Sequence, residues 1–267
     1  MNKTELVNLI RRKRSFLCVG LDTDPEKLPA HLPKDANGVL AFNKAIIEST
    51  LPYTVSYKLN IAFYEAMGLE GWKALQETIK LIPKGEALII ADAKRGDIGN
   101  SASQYAKAFF DNLDCDAITV NPYMGRDSVE PFLSYKGKWT IALGLTSNIG
   151  AIDIELLDLA NGRMVFEEAI ESLAKLGTTD NLMFVVGATK ADYFDKIRAI
   201  IPEHFLLVPG VGAQGGKLED LKGVMTNDCG LLVNSSRQII YADGSEGFAE
   251  KAAIQAEKLQ QQMAKML

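Results

Sequence analysis

Residues 92–98, with the sequence DAKRGDI, concentrate ionisable side chains at the end of an apolar run. Side chains two positions apart on a β-strand point to the same face, so Asp92 and Lys94 are expected side by side, with Asp97 in the following loop. Lys58 closes another apolar run, and the same reasoning places it beside Asp92. The expected array alternates in charge in the order Lys58, Asp92, Lys94, Asp97. Opposite charges in contact keep each other ionised despite burial, and no metal ion is needed for this. An alternative interpretation of the same residues is an ion-pair network that has only a structural role.

Two further groups of polar residues suit ligand recognition. Residues 209–216 read PGVGAQGG, and glycines let backbone N–H groups approach an anion closely. Within this segment Gln214 can donate to a phosphate oxygen, and Arg237 can bind one through two N–H groups. Residues 146–148 read TSN and carry hydroxyl and amide groups that suit a planar amide ring, although an ordinary turn has the same composition.

The elements that must position these residues are read from eight short apolar runs. Each run is almost continuously apolar, which is typical of parallel strands covered on both faces. The runs are Phe16–Asp22, Thr54–Asn60, Ala87–Lys94, Ala117–Tyr123, Thr140–Ser147, Met183–Thr189, Phe205–Val211 and Gly230–Arg237. Segments with helical periodicity lie between them, for example Ser101–Asp111, Met164–Leu176, Ala191–Ile201 and Glu246–Met266. Eight strand–helix repeats predict an α/β fold that closes into a single (β/α)8 TIM barrel, with residues 1–267 as one domain.

Polar and charged side chains gather at the carboxyl ends of the predicted strands. Asp22, Asn60 and Ser236 end three of them, in addition to the residues of the array. In such a barrel these ends open on one face, where active sites are built, and the loops after the seventh and eighth strands usually bind phosphate. Charged groups within apolar runs are costly to bury without a partner, so this distribution indicates a site.

Composition restricts the class of partner. The chain has 267 residues, a net charge of −5 and 47% hydrophobic residues, a balance that argues against nucleic acid or an anionic membrane as its partner. It has no apolar stretch near the ~20 residues of a membrane span and no apolar leader, so a cytoplasmic protein is expected. The three cysteines form no CxxC pair and are predicted to be buried or half-buried free thiols in a reducing compartment.

The ordered motifs resemble those of the orotidine 5′-phosphate decarboxylase family, in its longer bacterial branch. The resemblance spans nearly the whole chain. The segments that carry it are CVGLDTDP from residue 18, KLNIAFY from residue 58, DAKRGDI from residue 92, NPYMG from residue 121, TSN from residue 146, PGVGAQGG from residue 209 and NSSR from residue 234. The chain departs from the family pattern at Leu59, Leu145 and Ile149, where proline, lysine and proline are expected.

The resemblance implies that the chain decarboxylates orotidine 5′-phosphate to UMP and CO2, the last step of de novo UMP biosynthesis, as a homodimer without a cofactor or metal. It implies Lys94 as the proton donor to C6 and Asp92 beside the substrate carboxylate. It implies that Lys58 and Asp22 contact the ribose, that Ser147 contacts the pyrimidine edge, and that Gln214 and Arg237 hold the phosphate. Asn60 and Ser236 are implied as further substrate-binding residues. Asp97 and Ser101 are implied to act in the partner's site across the dimer interface.

Two other classes of protein fit the same scaffold. A metal-dependent sugar-phosphate epimerase or aldolase-like barrel needs metal ligands at the mouth, often histidine. The only histidines are His31 and His204, the latter on the opposite rim, and both are predicted at the surface. A non-catalytic nucleotide-binding protein is expected to have lost a member of the charged array, and none is missing.

Overall fold

A computed structural model describes residues 1–211 and 215–267 and shows a closed barrel of eight parallel strands. Each strand pairs with the next along the chain, and the last pairs with the first. The strands are β1 Leu17–Gly20, β2 Ser56–Asn60, β3 Leu88–Arg95, β4 Ala117–Val120, β5 Trp139–Leu145, β6 Leu182–Val186, β7 Leu206–Pro209 and β8 Leu231–Ser235. The predicted barrel is therefore confirmed.

The strands are mostly shorter than the apolar runs that predict them, chiefly at their carboxyl ends. After β4, for example, Asn121 begins a 3-10 turn over Pro122–Met124, because proline has no N–H to continue a strand ladder. The residues that leave the ladder in this way turn toward the mouth of the barrel. The polar ends of the predicted runs thus become the rim of a site.

Helices surround the strands, as the periodicity predicts. They are α1 Lys3–Lys13, α2 Ala36–Thr50, α3 Ile61–Glu65, α4 Gly68–Leu81, α5 Gly99–Lys107, α6 Glu130–Leu133, α7 Val165–Ala174, α8 Phe194–Ile200, α9 Arg237–Ile240 and α10 Phe248–Met263. The predicted helix Ser101–Asp111 is divided, because α5 passes into a π-helical turn over Ala108–Asn112. Within the described ranges, no helix is both long and apolar enough to cross a membrane.

The core consists of strand side chains packed against the surrounding helices, and burial of each large apolar side chain contributes about 1.5–3 kcal/mol. Cys18, Cys115 and Cys229 are buried free thiols, as predicted. His204 corrects the prediction of a surface position. Its ring, in the turn before β7, is buried and packs against Phe184 of β6 with ring centroids 5.7 Å apart.

Candidate active site

A cavity of about 470 Å3 opens at the carboxyl ends of the strands. Eight of the eleven predicted site residues line it. They are Asp22, Lys58, Asn60, Asp92, Lys94, Ser147, Ser236 and Arg237. The floor is apolar and comes from the barrel interior, where Leu143, Val185 and Leu207 fill the space below the polar groups. The cavity therefore combines an apolar base with a charged wall.

The charged wall is a chain of four alternating side chains. Lys58, in the middle of β2, places Nζ 2.9 Å from Oδ2 of Asp92 and 3.2 Å from Oδ1 of Asp22. Lys94 places its Nζ 2.5 Å from Oδ1 of Asp92. Strands β2 and β3 pair in parallel with Lys58 opposite Ile90 and Asn60 opposite Asp92, so the long Lys58 side chain reaches the Asp92 carboxylate from two residues lower in the barrel. Both oxygens of Asp92 thus accept from a lysine.

Burial and charge act in opposite directions on the central pair. Burial alone raises the pKa of Asp92, but the Lys58 and Lys94 ammonium groups outweigh it and hold that pKa well below its ordinary value. Burial likewise disfavours charged Lys58, and the carboxylates of Asp92 and Asp22 outweigh it and raise the pKa of Lys58. Both groups are therefore ionised at neutral pH, although Lys58 is only 5% exposed.

Lys94 occupies an unusual backbone conformation. Its φ is 47°, in the left-handed region that side chains other than glycine rarely adopt, at a cost of order 1–3 kcal/mol. The register between β3 and β4 shifts across Ala91 and Arg95. Thr119 of β4 stabilises this geometry, because its Oγ1 accepts from the Lys94 N–H at 2.9 Å and donates to Asp92 Oδ1 at 3.1 Å. Thr119 is a site residue that sequence reasoning missed.

Asp97 and Ser101 lie outside the cavity. The backbone turns away after β3, and the Asp97 carboxylate accepts from the N–H of Ile98, with no bond to the array in the part of the chain that the structure describes. Ser101 is exposed in the first half of α5. The predicted four-membered array is therefore corrected for a single chain: Asp22, and not Asp97, is its fourth member.

The far end of the cavity is formed after β7 and β8. Gly210 has a φ of 100°, and a β-bridge between Val211 and Gly216 closes the base of the loop. Gln214 lies in residues 212–214, outside the described residues. Ser236 packs tightly on β1, since a Cβ on Gly20 would lie 1.8 Å from its Oγ. Glycine at position 20 therefore lets β8 approach β1 closely enough to set Ser236 at the cavity.

A third wall follows β5. Ser147 faces the cavity together with Thr146 and Asn148. The Glu155 carboxylate fixes the start of this segment, because it accepts from both the N–H and the Oγ1 of Thr146 at 2.7 Å. Glu155 follows a 3-10 turn in the long connection to α7, where no sequence pattern marked it.

Among residues 1–211 and 215–267, no group of three or more His, Cys, Asp or Glu side chains has the geometry to hold a metal ion. In the array, each carboxylate instead contacts an ammonium group. Neighbouring lysine ammonium groups thus lie against the carboxylates of the array.

The family model described as orotidine 5′-phosphate decarboxylase / HUMPS family matches residues 15–252. The chain belongs to this family. The curated orotidine 5′-phosphate decarboxylase of Phocaeicola vulgatus is 54% identical over 270 residues, 100% of this chain and 99% of the relative. That of Christiangramia forsetii is 55% identical, with the same coverage. A solved structure of Leishmania donovani OMP decarboxylase superposes with a TM-score of 0.79 at 35% identity, covering 97% of this chain and 99% of that one.

Family membership, which the ordered motifs predict, is thus confirmed. The predicted enzyme class, a carboxy-lyase, is confirmed by curated relatives that carry the decarboxylase name over their full length. The roles of individual side chains stay predictions, because the comparisons concern whole chains.

Proposed function

We propose that the chain converts orotidine 5′-phosphate to UMP and CO2, the last step of de novo UMP biosynthesis. The observation that carries the proposal is the alternating chain of Asp22, Lys58, Asp92 and Lys94 in the wall of a barrel-mouth cavity. This chain presents an ammonium group and a carboxylate side by side. The ammonium group can protonate a carbon atom, and the carboxylate can lie next to the CO2 group that leaves that carbon.

The proposed roles follow the positions of the groups along the cavity. Lys94, whose side chain is half exposed, protonates C6, and Asp92 lies beside the substrate carboxylate. Lys58, Asp22 and Asn60 contact the ribose. Ser147 reads the pyrimidine edge, and Gln214, Ser236 and Arg237 hold the phosphate.

In the reaction the C6–carboxyl bond breaks, its electron pair stays on C6 and CO2 leaves. That pair lies in the ring plane, where the π system cannot delocalise it, and the Lys94 ammonium then transfers a proton to C6. A cation ~4 Å away stabilises such a charge by roughly 4 kcal/mol at an effective dielectric of 20, or about three decades in rate. The remaining acceleration must come from preorganised charges and from binding energy on the distant phosphate.

We further propose that residues 1–267 form one domain and that two copies of the chain form a homodimer. In this dimer Asp97 and Ser101 of each subunit lie at the cavity of the other. Large apolar side chains beside Asp97 and on the neighbouring rim support this arrangement. Ile98 is 49% exposed and Tyr123 77% exposed, and a second copy of the chain would cover them. The reaction as proposed uses protein side chains only, in the cytoplasm, with no nucleic acid or membrane as partner.

The direct test is the ultraviolet absorbance of orotidine 5′-phosphate mixed with purified protein and EDTA. We expect the absorbance to fall with UMP as product, and Lys94→Ala to abolish the change. Intact folded protein that leaves the absorbance unchanged refutes the proposal, and turnover of a sugar phosphate with added Mg2+ is then the next measurement.

The shared site has its own test. Lys94→Ala and Asp97→Ala subunits are each expected to be inactive alone, and a mixture is expected to regain partial activity because heterodimers contain one intact site. Two inactive parents that give an inactive mixture, with subunit exchange verified, contradict a site completed by Asp97 of the partner subunit.

A further inference from the structure

The loop after β1 is tied to the other side of the cavity by Tyr241. The Tyr241 hydroxyl accepts from the backbone N–H of Asp24 at 2.7 Å and donates to the backbone carbonyl of Asp22 at 3.4 Å. Its ring stacks on Phe42 of α2 with centroids 5.9 Å apart. One side chain therefore fixes the main chain on both sides of residue 23.

Tyr241 caps the same short helix as two of the proposed phosphate ligands, Ser236 and Arg237. Helix α9 spans only Arg237–Ile240, with Ser236 as its N-cap and Tyr241 as its C-cap. The Tyr241 N–H donates to the Arg237 carbonyl at 3.1 Å. A single helical turn thus connects the phosphate end of the cavity to the β1 loop, and a short hydrogen-bonded turn moves as one piece.

The other end of this connection is the charged array. Asp22 carries the carbonyl that Tyr241 holds, and its carboxylate accepts from Lys58, which in turn pairs with Asp92. A continuous set of hydrogen bonds and ion pairs therefore runs from Arg237 to the reacting end of the cavity, and coupling between sites is carried by contiguous networks of this kind.

We propose that Tyr241 is a positioning residue that couples phosphate binding at α9 to the placement of Asp22, and through Asp22 to Lys58. This inference rests on the proposed function and names the residues that connect the phosphate end of the cavity to the charged array. Phosphate holds α9, Tyr241 holds the β1 loop against α9, and the loop presents the Asp22 carboxylate to Lys58 and the ribose. Coupling of this kind is a free energy shared between two sites, so its loss is felt only when both are occupied.

The test compares Tyr241→Phe with the wild type on two substrates, orotidine 5′-phosphate and orotidine. The variant keeps the ring and loses the hydroxyl, and loss of one such hydrogen-bonding group corresponds to about a tenfold fall in kcat/KM. We expect that fall with orotidine 5′-phosphate and a change of less than about twofold with orotidine, which has no phosphate to hold α9. Equal losses on both substrates overturn the proposal, because they indicate a role in structure alone.

Tyr64 provides a matched control. Its hydroxyl donates to the carbonyl of Leu21 in the same loop, at 3.3 Å, and accepts from Asn43 at 2.9 Å, but it lies on α3 and not on α9. Tyr64→Phe is therefore expected to lower kcat/KM by the same factor with both substrates. A phosphate-dependent loss in Tyr64→Phe as large as that in Tyr241→Phe contradicts a route through α9.

A double-mutant cycle with Arg237→Ala gives an independent reading on orotidine 5′-phosphate. Once Arg237 no longer holds the phosphate, Tyr241→Phe is expected to lower kcat/KM by a smaller factor than it does in the wild type. The product of the two single-variant losses in kcat/KM is then larger than the loss in the double variant. Strictly multiplicative losses refute the coupling. Failure of the proposed function is distinguishable, because the wild type itself then leaves orotidine 5′-phosphate unchanged.

Discussion

Replacement of Lys58 by methionine is expected to destabilise the protein as well as inactivate it. The Lys58 ammonium lies 2.9 Å from Asp92 and 3.2 Å from Asp22, and at an effective dielectric of 20 these pairs correspond to about 6 and about 5 kcal/mol of attraction. Desolvation offsets most of this, and removal of one partner from a buried pair costs about 3–5 kcal/mol. Without Lys58, Oδ2 of Asp92 has lost its ammonium partner, and the half-exposed Lys94 is the one cation left in contact with this carboxylate among the described residues. We expect a loss in that range in the free energy of unfolding at pH 7.

Lys94→Met is the matched control, since it removes the other ammonium that contacts the same carboxylate. The Lys94 side chain is 50% exposed and that of Lys58 is 6% exposed. A solvent-screened pair contributes about 0–1 kcal/mol, so Lys94→Met is expected to abolish turnover with little change in stability. Both variants lose activity, and only one loses stability.

Urea unfolding followed by far-ultraviolet circular dichroism measures both variants. Equal destabilisation by Lys58→Met and Lys94→Met refutes the expectation that the buried lysine contributes more to stability than the half-exposed one. A second check is Lys58→Met combined with Asp92→Leu, which removes the stranded carboxylate. We expect this double variant to be more stable than Lys58→Met alone. A further loss of stability contradicts the account of Asp92 as a buried charge that Lys94 alone compensates only in part.

Three further changes test other parts of the structure. Gly20→Ala places a methyl group against Ser236 and is expected to raise KM for the phosphorylated substrate about tenfold in steady-state kinetics, while uridine affinity is unchanged. Thr119→Val leaves the Lys94 N–H without its acceptor and is expected to cost about 1–3 kcal/mol in urea unfolding and to lower kcat; an unchanged kcat contradicts a positioning role. Burial, followed by a nearby arginine charge, lowers the pKa of His204 to about 4, so the unfolded chain takes up a proton at a higher pH than the folded one and stability falls as pH drops from about 6.5 to 4. His204→Leu is expected to remove about 3 kcal/mol of this pH dependence of the free energy of unfolding. Identical stability curves against pH for the variant and the wild type refute the prediction.

The barrel could be predicted because its strands are buried on both faces. When eight continuous apolar runs, such as the one before Asp92, alternate with helical segments, the pattern is compatible with few folds besides a closed parallel barrel. Placement of the polar ends at one rim then follows from the parallel direction of the strands. Burial and direction are properties of a local pattern, and the sequence contains them directly.

Strand alternation predicts the contact between Asp92 and Lys94. The structure has this contact, but its cause is different. The rule places both side chains on one face, yet Lys94 has a left-handed backbone and sits where the ladder shifts register. Their contact is maintained by charge and by Thr119, which local periodicity does not describe. The alternation rule also gives no direction for the loop after β3, so it cannot tell that Asp97 turns away from the array.

Contacts that span the barrel could not be predicted from local patterns. Tyr241 and Asp22 are 219 positions apart and meet only because β8 closes on β1. Glu155 reaches Thr146 through an irregular connection, and no periodicity fixes its path. Such residues look like ordinary surface or core positions in sequence, and only closure of the fold gives them a role.

Beside the substrate carboxylate, Asp92 can act in two ways, by repelling that carboxylate or by orienting Lys94, and both require it to be ionised. If it repels the substrate carboxylate, protonation would relieve the repulsion, and if it orients Lys94, protonation would remove the charge that does so. A pKa held far below the ordinary value by Lys58 and Lys94 prevents both outcomes near neutral pH. Under the proposed roles, Lys58 contributes to the chemistry without touching C6. It is buried between two carboxylates and keeps the Asp92 charge from being neutralised. A charge that is fixed before substrate binds needs no reorganisation during the reaction.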